Sequence, residues 1–217
     1  RQKPSHAGSD RVRYRERVLT KSIPQTGRDA VRQAEKTSQN WSFLTWVALT
    51  PARIRFATPA DYAAVEAIEN AADRLLIDWL LPEQWPLAPA GATRASEPGF
   101  LLVAEATDTD AVVGFVHVIE SEKIAHPEQL SVSPEYSRRG YGRMLIDAAM
   151  EEARGRKHNR LTLRTYADIP CNAPFYSRAG FAEEAPSTDF HRKLVQVEDS
   201  LEFARYGRRV QMVAVLE

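Results

Sequence analysis

The sequence has a single cysteine, Cys171, among 217 residues, so no internal disulfide framework can brace it, and a reducing compartment suits it. Long apolar runs are also missing. None approaches the roughly 20 residues that span a bilayer, and no apolar stretch follows the basic N-terminal residues as a secretory signal would require. A cytoplasmic protein without a membrane partner is expected. Net charge is absent, with 29 Lys and Arg against 29 Asp and Glu, which removes any global electrostatic case for nucleic acid. The five histidines (His6, His117, His126, His158, His191) show no metal-ligand spacing, so no metal is expected.

The charge balance hides an asymmetry. Residues 1–50 hold ten Lys and Arg against four Asp and Glu, a net of +6. Residues 1–46 are polar, lack a sustained apolar period and read as a basic, poorly ordered extension, with a short helix allowed over 28–38. A nucleic-acid arm is the sharper alternative, disfavoured because aromatics are not interleaved with the charges.

From residue 52 to the end, strand and helix patterns interleave as in one α/β domain. Arg53–Ala57 alternates like a half-buried strand, and Thr58-Pro59-Ala60-Asp61 supplies a helix start. Helical spacing continues to about Leu81, and the Pro-, Gly- and Ala-rich stretch 82–99 reads as a loop. Phe100–Ala106 and Val112–Glu120 pair as a hairpin around Thr107–Asp110. A strand over 124–133 precedes a glycine loop and a helix to about Arg154, with Gly155 placed to close it at C′. Leu161–Tyr166 is a strand, 172–179 a short helix ending at Gly180, and Phe181 opens a short strand. His191–Ala204 suits a helix and Val210–Leu216 the last strand.

The loop Ser137-Arg138-Arg139-Gly140-Tyr141-Gly142 carries the chemistry. Its glycines admit close backbone approach and open a helix, whose free N–H groups and dipole attract anions. Arg138, Arg139 and Arg143 add guanidinium forks suited to phosphate oxygens, so a cradled pyrophosphate is implied. It is not a P-loop, because no Gly-Lys-Ser/Thr follows. Nor is it a dinucleotide fingerprint, because Leu145 stands where the third glycine belongs.

The run His126–Arg143 resembles the acyl-CoA-binding segment of the GNAT superfamily, the Gcn5-related N-acetyltransferases, whose loop reads Gln/Arg-x-x-Gly-x-Gly/Ala. Asn172-Ala173-Pro174-Phe175-Tyr176, leading into Gly180-Phe181, is similar to that family's second signature. Ser137 departs from the usual Gln/Arg, so the first phosphate contact is weaker or passes to Arg138; Cys171 stands where many relatives have a bulky aromatic. The resemblance covers about residues 52–217 and implies a mixed, mostly antiparallel sheet flanked by helices.

It also implies an acetyl-CoA-dependent N-acetyltransferase working by direct transfer. Acetyl-CoA, as co-substrate, would lie in a V-shaped gap between strands, pairing with the backbone of Leu130, Ser131 and Val132 and held by Arg138–Arg143 and Asn172. The Leu130 N–H would polarise the thioester carbonyl. Tyr176 would serve as acid to the departing thiolate. Glu128, two residues before Leu130 and so on the same side of the strand, is the candidate base for the acceptor amine. His117 and Glu120 on the preceding strand could face the acceptor, with a solvent-facing role as the default, and Cys171 reads as a small hydrophobe.

The resemblance implies a primary amine of a small molecule or peptide as the acceptor. A CoA-binding regulatory module without turnover is the competing reading, favoured by Ser137 and opposed by Tyr176 and Asn172. A third reading gives residues 1–46 salt-sensitive RNA binding. Residues 70–99 and 183–207 would set acceptor specificity, with Trp79, Trp85 and Tyr166 as candidate pocket walls. A homodimer is common among relatives, although nothing in the residues specifies one.

Overall fold

A computed structural model describes residues 52–121 and 123–217. The basic head and its suggested helix lie outside the described residues. Among the described residues, seven strands form one sheet in the order β1-β2-β3-β4-β5-β7-β6. β1 (Ala52–Phe56), β2 (Gly99–Ala106), β3 (Ala111–Ser121) and β4 (Ile124–Val132) are antiparallel to one another in turn. β5 (Arg160–Tyr166) lies parallel to β4, and β7 (Arg209–Val215) runs antiparallel between β5 and the two-residue β6 (Ala182–Glu183). The mixed, mostly antiparallel sheet expected from the sequence is thus present.

Alternation along β2 divides the core. Phe100, Leu102 and Ala104 pack with Leu145, Ile146 and Ala149 of α3 (Tyr141–Gly155) on one face. Leu101 and Val103 meet Val65 and Ile68 of α1 (Tyr62–Leu80) on the other. The start of α1 forms as its residues dictate: the Asp61 carboxylate accepts from the Thr58 N–H at 2.7 Å and its hydroxyl at 2.8 Å. Arg55 binds the same carboxylate at 2.7 and 2.9 Å, and that hydrogen-bonded ion pair holds Asp61 well below the usual carboxylate range.

Three local expectations change. The supposed loop 82–99 contains a one-turn helix, α2 (Gly91–Ala95). Gly91 is required there, because a Cβ would lie 2.4 Å from the Tyr62 carbonyl oxygen of α1. Gly155 is not the C′ residue but the last helical one; the left-handed position falls on Lys157 (φ 68°). Its N–H bonds Arg154 O at 2.8 Å, and that of His158 bonds Ala153 O at 3.0 Å, which makes a Schellman cap. The last helix, α5 (Asp189–Ser200), begins earlier than the apolar period suggested because Thr188 accepts the His191 N–H at 3.2 Å.

Two irregularities shape the centre of the sheet. β4 and β5 share one registered pair, Ala125 with Leu161, and part beyond it. In β3–β4 the register passes from His117↔Gln129 to Val118↔Pro127, which leaves Glu128 as the extra residue of a β-bulge. No helix among the described residues is long and apolar enough to cross a membrane.

Candidate active site

The glycine loop closes the α3 side of the parted strands. Gly140 caps α3 in a left-handed conformation (φ 91°), and Arg138 is left-handed as well (φ 62°). The first bond of the loop into the helix runs from Met144 N–H to Gly140 O at 3.0 Å. The N–H groups of Tyr141, Gly142 and Arg143 precede that bond at the positive end of the helix. A Cβ on Gly142 would lie 3.6 Å from the Phe175 ring and 3.8 Å from Val132. The glycine therefore widens the space between α3, β4 and the short helix α4 (Ala173–Arg178).

Two expected phosphate contacts are not arranged as the sequence suggested. Arg143 is committed elsewhere: its Nε lies 2.8 Å from both Asp147 carboxylate oxygens, and its Nη1 donates to Arg178 O at 2.8 Å. It tethers α4 to α3. Tyr141 is 1% exposed and its ring belongs to the core, so only its backbone reaches the loop. Arg139 lies over the Tyr136 ring at 5.0 Å, at the mouth of the loop.

Leu130, Ser131 and Val132 pair with Val116, Phe115 and Gly114 of β3. Ser133 donates its N–H to Val113 O at 2.8 Å, so Ser133 and Ser131 point their backbone groups at β3. By the alternation of an antiparallel ladder, those of Leu130 and Val132 point toward the β4–β5 gap. Tyr176 packs edge-on between Phe175 and Phe181, with centroids at 5.0 and 5.6 Å. Burial, with Cys171 nearby, pushes its phenol well above the ordinary value. Asn172 precedes α4 without capping it through its side chain, and its Oδ1 accepts from the Cys171 thiol at 3.5 Å. Cys171 is exposed rather than packed as the small hydrophobe expected, and partial desolvation raises its thiol.

The bulge overturns the expectation that Glu128 and Leu130 share a side. Leu130 packs on the α3-side core. Glu128 turns to the α1 face, where it pairs with Arg94 of α2 and lies 3.4 Å from His117 Nδ1. Arg94 also grips Glu69 of α1 with both tines, at 2.9 and 2.7 Å. Glu69 and Arg94 are 2% and 4% exposed, and the expected solvent-facing His117 is 1% exposed. Burial alone would raise Glu128, but the His117 hydrogen bond and the Arg94 charge outweigh it and hold the carboxylate at about 2.

Arg94 and Glu69 were missed by sequence reasoning, although a signal existed. Glu69 and Asp73 fall four and eight residues after Val65, on the buried stripe of α1, where a carboxylate demands a partner. Asp73 finds Trp85 Nε1 at 2.8 Å, which pins that proposed pocket aromatic. Trp79 is half-exposed. Tyr166 is buried beneath Arg209 at 4.4 Å and forms no wall of this site. Among the described residues, no group of three or more His, Cys, Asp or Glu is arranged to hold a metal.

Comparison with known proteins agrees with this architecture. The mycothiol acetyltransferase of Nocardia farcinica is 31% identical over 137 residues, 58% of this chain and 44% of the relative, so the chain spans less than half of that protein. The PaiA N-acetyltransferase of Thermoplasma acidophilum in complex with coenzyme A superposes with a TM-score of 0.57 at 14% identity. That match covers 76% of this chain and 99% of the other. A ribosomal-protein alanine N-acetyltransferase of Escherichia coli gives a TM-score of 0.53 at 20% identity, over 77% and 95% of the two chains. Residues 97–183, which include the bulge, the glycine loop and α4, match the family described as "Acetyltransferase (GNAT) domain".

Proposed function

We propose that the chain is a cytoplasmic acetyltransferase that moves an acetyl group from acetyl-CoA directly to a primary amine of a small molecule or peptide, with residues 52–217 as the catalytic domain. The observation that carries this reading is the gap where β4 and β5 part: the α3 N-terminus and the edge of β4 border it, and Phe175 of α4 lies beside Gly142. The site fits the co-substrate. The N–H groups of Gly140–Arg143 with Arg138 and Arg139 would hold its pyrophosphate, and Gly142 leaves room beside Phe175. The β4 edge would pair with its amide arm, assisted by Asn172, and the Leu130 N–H would stabilise charge on the carbonyl oxygen.

Charge decides what Glu128 does. Glu128 is a carboxylate held by Arg94 and His117 with a quarter of its side chain open, so a cation is the charge it would attract. An alkylammonium near 10.4 and a carboxylate at about 2 differ by roughly 8 units, about 11 kcal/mol, too much for direct proton transfer. Glu128 therefore anchors the ammonium, and water carries its proton away. A phenol above its ordinary value is a weaker acid than a thiol near 8.5, so Tyr176 stabilises the departing thiolate chiefly by donating a hydrogen bond.

Calorimetric titration of acetyl-CoA into wild type and Gly142→Glu tests the reading. Position 142 has space for a side chain, so the variant should keep its circular dichroism while losing at least about 100-fold in affinity through carboxylate–phosphate repulsion. A folded wild type that does not bind acetyl-CoA would end it. Binding without transfer to any of a broad panel of amines would favour the regulatory module, to which the low basicity of Glu128 lends support.

A further inference from the structure

The gap begins where β4 and β5 stop pairing, just past Ala125 and Leu161, their one registered pair. The next residue along each strand is His126 on β4 and Thr162 on β5, so these two stand at the fork itself. Past that point no registered backbone pair fixes how far the strands diverge. Something else must set the opening.

A chain of side chains crosses the fork. His126 Nδ1 lies 3.0 Å from Thr162 Oγ1, which lies 3.2 Å from His191 Nε2. His191 Nδ1 in turn lies 3.2 Å from Gln211 Nε2. The chain therefore ties β4 to β5, to the first turn of α5 and to β7. None of the four residues is more than 3% exposed, so water does not compete for these bonds.

The central hydroxyl is fully used. Burial keeps both imidazoles neutral, with His126 pushed down to about 3. A neutral ring carries one N–H and one bare nitrogen, so Thr162 can accept from one ring and donate to the other. Both rings are also held in place. Phe190 packs edge-on to each, with centroids at 5.3 and 5.6 Å, and the His191 N–H is fixed on Thr188 at 3.2 Å.

We propose that His126, Thr162 and His191 are positioning residues: they form a clasp at the root of the β4–β5 gap that sets its width. The clasp itself stands on this geometry, and its effect on the amide arm of acetyl-CoA rests on the acyl-transfer reading. Packing alone would not require the hydroxyl. Valine has the shape of threonine without either hydrogen-bonding capacity, so Thr162→Val opens the clasp at nearly constant volume.

The test compares the full chain as wild type, T162V and T162S. In the ligand-free protein, amide exchange at residues 124–126 and 161–163, taken relative to 101–104 of β2, should quicken about 10-fold in T162V and recover in T162S. By calorimetry, the acetyl-CoA Kd should weaken about 10-fold in T162V and return to within about 3-fold in T162S. Val65→Ala, which cuts the core between α1 and β2, should lower Tm yet leave that Kd unchanged. Should T162V not fold, His126→Phe replaces it, since it keeps a ring against Phe190 and drops the nitrogen. Unchanged exchange at the fork, an unchanged Kd, a loss in T162S as large as in T162V, or an equal loss of affinity in V65A would each overturn the proposal. A wild type that binds no acetyl-CoA would instead end the acyl-transfer reading, and exchange at the fork would still decide whether the clasp holds it.

Discussion

Replacing Arg94 by methionine should remove the guanidinium that bridges two carboxylates. Glu69 is 2% exposed and cannot be hydrated in place, and Glu128 is only partly open to water. Breaking a buried pair from one side costs about 3–5 kcal/mol, a large share of the 5–15 kcal/mol that holds a typical domain together. At roughly 2–4 °C per kcal/mol for a domain of this size, Tm should fall by about 6–20 °C. The deficit must depend on pH. Without Arg94, Glu69 has a folded pKa raised above its unfolded value, so the destabilisation is full at neutral pH and shrinks as pH falls toward the ordinary carboxylate range. Urea unfolding of wild type, R94M and E69Q/R94M at about pH 7.5 and about pH 5 measures this. The double variant should recover at least half the loss, because it leaves no buried charge on Glu69. A deficit under about 1 kcal/mol at neutral pH, or one unchanged at the lower pH, would refute the argument.

Four further outcomes follow from the same structure. Wild-type stability contributed by Glu128, whose pKa is depressed from 4.5 to about 2, should be complete above pH 4.5 and disappear as pH falls toward 2, with E128Q showing a flatter acid limb on urea titration. E128Q should also lower kcat/KM for the amine by about 10–100-fold at an unchanged acetyl-CoA Kd; an unchanged kcat/KM would remove the anchor role. Tyr176→Phe keeps the packing on Phe175 and Phe181, so kcat should fall by about 10–100-fold with acetyl-CoA affinity held, by steady-state kinetics and calorimetry. Gly155→Ala should stabilise by about 0.5–1 kcal/mol, since the position is helical and nothing lies within 4 Å of the added Cβ; destabilisation on thermal melting would mean that Gly155 is the cap after all.

Much of this protein is local and was legible in one dimension. The Thr58–Asp61 helix start, the hairpin around 107–110, the glycine loop opening α3 and the short helix after Asn172 rest on turn chemistry, caps and periodicity within a few residues. Such features depend on backbone preferences that neighbours in sequence decide. The loop motif therefore announced the helix start at Gly140 before any fold was known.

What the sequence could not determine is whatever hangs on register and distance. Period-two alternation put Glu128 beside Leu130; one extra residue opposite His117 sent it to the other face, because a bulge resets alternation without a local signature. Arg94 reads as a lone charge in a Pro- and Ala-rich stretch until Gly91 lets α2 settle on α1, 25 residues from Glu69 and 34 from Glu128. Arg143 was a phosphate ligand by spacing until Asp147 and the end of α4 claimed it. A buried charge takes the partner that packing brings to it, and only the assembled sheet and helices decide which partner that is.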